Sequence, residues 1–275
     1  RTCPRSSSRL VGSFVSRPNS CFCVRSQLTL FAPVPFSQPL RALVTGANRG
    51  IGLEWACQLA GPAARLFATC RRPSEAAELQ DLAASHPDTL EILPLDVAEP
   101  DAIRAAAEQV QEKTDGLELL INNAGINGGG REDQFEGADP ETMMNVFRVN
   151  AVGPHLMTKT FAGLLRSGAA GRPAVVVNVT SQLGSIANAQ SDSWHSYRAS
   201  KAALNMLVRL QAASLRDDGV IAVALHPGWV RTDMGGREAR LSPEESVAGM
   251  IEVVSDLSLD DTGRFLAHDG RELPW

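Results

Sequence analysis

The chain has 275 residues, 44% hydrophobic and 21% charged, a composition that suits one large globular domain or two small ones. Its formal net charge of −5 and lack of a basic cluster leave no footprint for nucleic acid. No run approaches the roughly 18 apolar residues of a membrane span, and the histidines lack metal-ligand spacing.

The charge is unevenly spread. Residues 1–40 contain no Asp or Glu but have five arginines, eight serines and five prolines. With five of the 26 basic residues there, 21 remain against 31 acidic ones, so the rest carries a net charge of about −10. An acid-free, Arg/Ser-rich leader has the composition of an organelle transit peptide. The expectation is therefore a disordered leader over 1–39 and one domain over 40–275. Its Ser/Pro content favours a plastid address, with the mitochondrion next and the cytoplasm if the leader is no address. Cys3, Cys21 and Cys23 lie in the leader, and Cys57 and Cys70 lie in apolar segments, so no disulfide framework is expected.

From residue 41, short apolar runs alternate with helical patterns. "RALVT" (41–45) reads as a strand, then a glycine-bearing turn and the helix "IGLEWACQLA". "RLFATC" (65–70) is a second strand, and the helical "SEAAELQDLAASH" leads to a third, "EILPLDV" (91–97). The helix "DAIRAAAEQVQEK" precedes "LELLINNAG" (117–125). A long helical stretch from about Pro140 to Leu165 leads to "AVVVNVTS" (174–181), and "IAVALHPGW" (221–229) and "GRFLAHDG" (263–270) complete seven strands. Strands alternating with helices predict βαβ units, and continuously apolar runs predict strands covered on both faces. The fold class is α/β, a single doubly wound Rossmann domain with a seven-stranded, mainly parallel sheet. Asn178-Val179-Thr180 fits a glycosylation sequon but sits on a strand expected to be buried.

The turn "TGANRGIG" (45–52) joins the first strand to the first helix. Gly46, Gly50 and Gly52 permit a tight turn and close approach of a ligand to the backbone, with Asn48, Arg49 and Ile51 in the same cradle. The helix N-terminus behind them suits a pyrophosphate. At the end of the second strand, where a carboxylate would favour the NAD ribose, stand Arg71 and Arg72. Together with Arg49 they suit a 2′-phosphate, so the expected cofactor is NADP(H).

Near the other end, "SYRASK" (196–201) holds the only tyrosine, Tyr197, four residues before Lys201, one of three lysines. The pattern is weak alone, but its company is not. "TGANRGIG", "NNAG" (122–125), Asn150 in "VNAVGP", Ser181 in "VTSQLG" and "SYRASK" follow the order of motifs in classical short-chain dehydrogenases/reductases, which residues 41–275 resemble. "HPGWVRTDMGG" (226–236) and "FLAHDGRELPW" (265–275) resemble most the sniffer-like and C-factor-like carbonyl reductases.

The resemblance implies roles. Tyr197 is the general acid, its pKa near ~10 lowered by the Lys201 cation, which also holds the nicotinamide ribose. Ser181 hydrogen-bonds the substrate oxygen, with Thr180 as an alternative donor, and Asn150 holds a relay water for Lys201. Asp96 and Val97 meet the adenine, while Asn123, Ala124 and Gly125 line the groove. Pro227, Gly228, Val230 and Thr232 meet the carboxamide or pyrophosphate, and Asn122 stabilises the sheet. Sixteen residues separate Ser181 from Tyr197, more than usual, so "NAQSDSW" is expected to lengthen a loop, with His195 a loop residue. A short segment before a capped helix at Ser242 suggests an open site for small aldehydes, ketones or quinones. The alternatives are an organellar 3-oxoacyl thioester reductase and a non-catalytic NADP sensor. A homodimer or homotetramer is expected by analogy.

Overall fold

The apolar runs read in the sequence become seven strands of one sheet, all but the edge strand β3 buried along most of their length. They are β1 (Arg41–Thr45), β2 (Arg65–Cys70), β3 (Leu90–Pro94), β4 (Leu119–Asn122), β5 (Ala174–Val179), β6 (Val220–His226) and β7 (Phe265–Ala267). The structure is a computed structural model that describes residues 40–129, 133–137 and 139–275. The expected leader, residues 1–39, lies outside the described residues.

The strand order is β3-β2-β1-β4-β5-β6-β7, and every pairing is parallel. Parallel neighbours require crossovers, supplied by α1 (Gly50–Ala60), α2 (Ala77–Ser85), α3 (Pro100–Gln111), α4 (Pro140–Phe147), α5 (Gly153–Gly168), α6 (His195–Leu215) and α7 (Pro243–Ser255). One apolar layer packs α1, α2 and α7 on the sheet around Trp55, Leu59, Leu79 and Met250. The opposite layer packs α3, α5 and the end of α6 around Ile103, Val110, Phe161 and Leu215. Covering both faces explains why β5 and β6 carry buried side chains at every position.

Two consequences place the site. All strands point the same way, so the residues following them gather at one edge of the sheet. The chain also reverses its direction of winding between β1 and β4, which are paired neighbours, so their loops diverge and open a crevice there.

Two local readings are refined and a third holds. The stretch expected as one helix from Pro140 is broken by a π-helical turn, Arg148–Val152, between α4 and α5. The turn places Gly153 and Pro154 at the start of α5, where proline's missing N–H costs nothing. His195 is the first residue of α6 rather than a loop residue. The capped helix at Ser242 is present in full: Ser242 Oγ accepts from Glu245 N at 3.1 Å, and Glu245 Oε2 accepts from Ser242 N at 2.8 Å.

The sheet interior also carries an amide ladder. Asn122 Nδ2 donates to Asn178 Oδ1 at 3.0 Å and to Thr158 Oγ1 at 3.2 Å, and Asn178 Nδ2 donates to Gln211 Oε1 at 3.1 Å. It ties β4 and β5 to α5 and α6, the stabilising role expected of Asn122, and it buries Asn178 away from any glycosylating enzyme. No helix among the described residues is long and apolar enough to cross a membrane.

Candidate active site

The glycine turn leaves β1 with Gly46 at φ 68° and starts α1 with Gly50 at φ 55°. A side-chain-bearing residue in this left-handed region costs roughly 1–2 kcal/mol, so glycine is selected at both points. Gly52 is chosen for space: a Cβ there would collide with the Gly46 carbonyl and the Asn123 amide. That amide braces the turn, Asn123 Nδ2 donating to Thr45 O at 2.9 Å and Gly46 O at 3.3 Å. Thr45 Oγ1 accepts in return from Asn123 N at 3.0 Å and Ala124 N at 3.1 Å. Asn123 and Ala124 therefore hold the turn in shape.

The helix behind the turn has no side-chain cap at Arg49 and no acid in its first turn. Its first N–H groups and dipole are left for an anion, and the turn fits a pyrophosphate. Arg49 is exposed and ion-paired with Asp233, while Arg72 is exposed and 2.9 Å from Glu75. Arg71 is exposed beside it. Exposed pairs of this kind contribute about 0–1 kcal/mol, so a phosphate can draw the guanidinium groups away. Thr232 comes over the same turn, because a Cβ on Gly50 would stand 3.2 Å from its methyl group. Val230 is buried and bridges to Leu241, Gly228 takes φ 82°, and Pro227 O accepts from Ser246 Oγ at 2.6 Å. After β3, Asp96 Oδ1 accepts from Ala98 N at 2.9 Å, and Val97 packs on Gly153. Asn48 is exposed at the turn, and Ile51 packs on the core.

Beyond the crevice lie the four residues expected to do chemistry. Ser181 follows β5 and caps a short 3-10 turn, its Oγ accepting from Leu183 N at 3.1 Å. Gly184 of that turn packs so tightly on α6 that a Cβ there would stand 2.8 Å from the Lys201 backbone. This close approach sets Ser181 beside α6, near enough for its hydroxyl to act on the Tyr197 phenol. Lys201 Nζ lies 5.7 Å from the centroid of the Tyr197 ring and donates to Val179 O at 2.8 Å. Gly125 sits between Lys201 and Asn150, 3.7 Å from the ammonium and 3.3 Å from Asn150 Oδ1 by the position its Cβ would take.

The structure adjusts three expectations. Thr180 does not face the site; its hydroxyl donates to Asn205 Oδ1 at 2.7 Å in the buried interior. Asn150, in the π-helical turn, has its side chain committed: Oδ1 accepts from Ile126 N at 2.9 Å, and Nδ2 donates to Ile126 O at 2.8 Å and Ser200 Oγ at 3.1 Å. It acts first as a brace for the loop after β4. Dehydration, rather than the ammonium, is the largest influence on the phenol: burial pushes Tyr197 up to about 12, with the Ser181 hydrogen bond pulling the other way. Over the whole residue Tyr197 is only half-buried. Burial also takes Lys201 down to about 8.

Two residues near the site went unseen in the sequence. Trp194 takes left-handed backbone angles, φ 64° and ψ 39°, just before α6, and its ring meets that of Tyr197 edge-on at 5.8 Å. Asp133, from the loop after β4, accepts from Ser196 N at 2.6 Å. No local signal could have found Asp133, whose partner Ser196 is 63 positions away.

A doubly wound parallel sheet with an uncapped glycine turn at its switch point, and a Ser, Tyr and Lys cluster across the crevice, defines a dinucleotide-dependent oxidoreductase. The profile of the short chain dehydrogenase family matches residues 41–241, and the chain belongs to that family. It is similar to the NADPH bound carbonyl reductase from chicken fatty liver, with 43% identity, TM-score 0.81, and 86% of this chain and 100% of that chain covered. Likeness to the carbonyl reductase Sniffer of D. melanogaster is 33% identity and TM-score 0.83, over 86% of this chain and 100% of that one. The C-signal of Myxococcus xanthus is 43% identical over 159 residues, 58% of this chain and 93% of that protein. These likenesses place the chain in the sniffer-like subgroup.

Replacing Gly52 by Ala should displace the turn. Calorimetric titration of a folded Gly52→Ala protein is expected to show NADPH binding lost; unchanged affinity would mean that the collision is relieved without moving the cradle.

Proposed function

We propose that the chain is an NADPH-dependent reductase of small carbonyl compounds, with Tyr197 as the general acid. The observation that carries this reading is the gathering of the Ser181 hydroxyl and the Lys201 ammonium at the Tyr197 phenol, facing a crevice whose other wall is an uncapped glycine turn. The NADPH bound to the chicken reductase supports the choice of cofactor, as do Arg49, Arg71 and Arg72.

When bound, the reduced nicotinamide supplies the hydride. The protein's part is to bind, orient and protonate. Ser181 Oγ accepts from Leu183 N, which leaves its own hydrogen for an oxygen in the crevice. The phenol, pushed up to about 12, stays protonated at neutral pH and can donate to the carbonyl oxygen as that oxygen gains charge. The phenolate left behind is stabilised by the Lys201 ammonium over its ring. Asn150, Gly125 and the loop at Ile126 close the inner wall and keep this ammonium away from bulk water.

The segment between β6 and α7 favours modest substrates. It folds on itself, Trp229 Nε1 donating to Gly235 O at 2.8 Å and Arg231 N to Leu241 O at 2.8 Å. Trp229 and Met234 stay partly exposed on it, an apolar surface suited to aldehydes, ketones or quinones. The likeness to C-signal keeps a second reading, NADP sensing without turnover. The leader of residues 1–39 we propose as an organellar address, on its composition; a fluorescent protein fused behind it should enter plastids, and a diffuse signal would refute this.

Tyr197→Phe is expected to lower carbonyl turnover by roughly 10²- to 10⁴-fold with NADPH binding kept. In the parent protein, reduction should decline as pH rises through about 8, where Lys201 loses the proton that stabilises the phenolate. NADPH consumption against a panel of aldehydes and diketones measures both, and turnover surviving in the Phe variant would exclude the phenol as acid. No turnover in the parent despite NADPH binding would favour the sensor.

The charge-reversed pair Arg71→Glu/Arg72→Glu should weaken NADPH about 10- to 100-fold. NADH affinity, measured by the same fluorescence titration, should hold or improve. Equal losses for both nucleotides would place the 2′-phosphate elsewhere.

A further inference from the structure

The first turn of α6 is the most exacting piece of backbone in the site, because Tyr197 is its third residue and Lys201 follows one turn on. A helix begins with N–H groups that have no partner within it, and a side-chain oxygen at the N-cap ordinarily takes one. Here the N-cap is Trp194, which has no such oxygen and stands in the left-handed region. The two N–H groups that follow are nevertheless satisfied. Ser196 N donates to Asp133 Oδ2 at 2.6 Å, and His195 N donates to Asp133 O at 3.0 Å. One residue, 63 positions upstream of Ser196 and 6% exposed, thus supplies both acceptors.

The attachment continues on either side. Gln134 forms an antiparallel bridge with Ser193, and the rings of Phe135 and His195 lie 6.2 Å apart. The segment that precedes Tyr197 is therefore zipped to the loop after β4, whose root at Ile126 is held by Asn150. The left-handed turn at Trp194 is what brings its ring edge-on to Tyr197. Without an anchor on the next N–H groups, that turn has no side-chain cap to hold it.

We propose that Asp133 is a positioning residue for catalysis: its carboxylate caps α6 from outside the helix and fixes where the Tyr197 hydroxyl stands relative to Ser181. The proposal rests on the reductase reading for its kinetic consequence, but not for the anchoring itself. The role needs an acceptor at the carboxylate's position, and needs the negative charge less. Asparagine keeps an oxygen there, whereas alanine removes it. The carboxylate bears on the chemical step and leaves the glycine turn untouched, so kcat and cofactor affinity should separate.

Asp133→Ala is expected to lower kcat about 10- to 100-fold, the cost of a misplaced acid, with the Kd for NADPH within about twofold of the parent. Asp133→Asn should recover most of that loss. Hydrogen exchange, followed by mass spectrometry over 193–200, should be faster in Asp133→Ala and near the parent in Asp133→Asn. This measurement needs no turnover, so it tests the anchor even if the parent reduces no carbonyl. Should the alanine protein not fold, Asp133→Ser, with a shorter acceptor, takes its place with the same two readouts. Parent-like kcat and parent-like exchange in the folded variant would overturn the proposal. Equal loss of kcat and NADPH affinity would also overturn it, since that is general loosening rather than positioning.

Discussion

The constraint from which the rest of the site follows is the burial of an ammonium. Lys201 is 4% exposed, and its ammonium donates to a backbone carbonyl, Val179 O. Removing such a charge from water is unfavourable, and the protein expresses this by taking the group down to about 8. The same dehydration pushes the adjacent phenol up to about 12. An acid that stays protonated and a cation near its tipping point follow from one cause, the closing of the wall around α6.

That wall is built from backbone more than from side chains. Gly184 lets the Ser181 turn touch α6, and Gly125 leaves space between Asn150 and Lys201. The π-helical turn brings Asn150 to Ile126, where it satisfies both backbone groups of one residue. Leaving such groups buried and unpaired would cost about 1–3 kcal/mol each, so the interaction holds the loop as much as it shapes the site. On the other wall Asn123 and Thr45 do the equivalent work for the glycine turn.

Much of this was legible beforehand because the relevant signals are local. Continuous apolar runs alternating with helices implied a parallel sheet, and parallel strands bring their following loops to one edge. Every expected site residue except Asn150, Tyr197 and Lys201 follows a strand or lies in the turn after β1. What went unread is non-local. Thr180 and Ser181 are adjacent hydroxyls, and only the pleat, which turns successive side chains to opposite faces, sends Thr180 inward to Asn205. His195 reads as loop, yet it opens α6, whose cap Asp133 supplies from a distant loop.

The sequence alone determined the fold class, the glycine cradle, the arginines beside it and the phenol–lysine pair, since each depends on residue type and short spacing. Tertiary structure decided how strongly the phenol is dehydrated, which hydroxyl faces it, and what holds the helix that carries it. Those depend on which atoms crowd the site from elements tens of residues apart. Such proximity is created by sheet order and close glycine packing, and no local pattern encodes it.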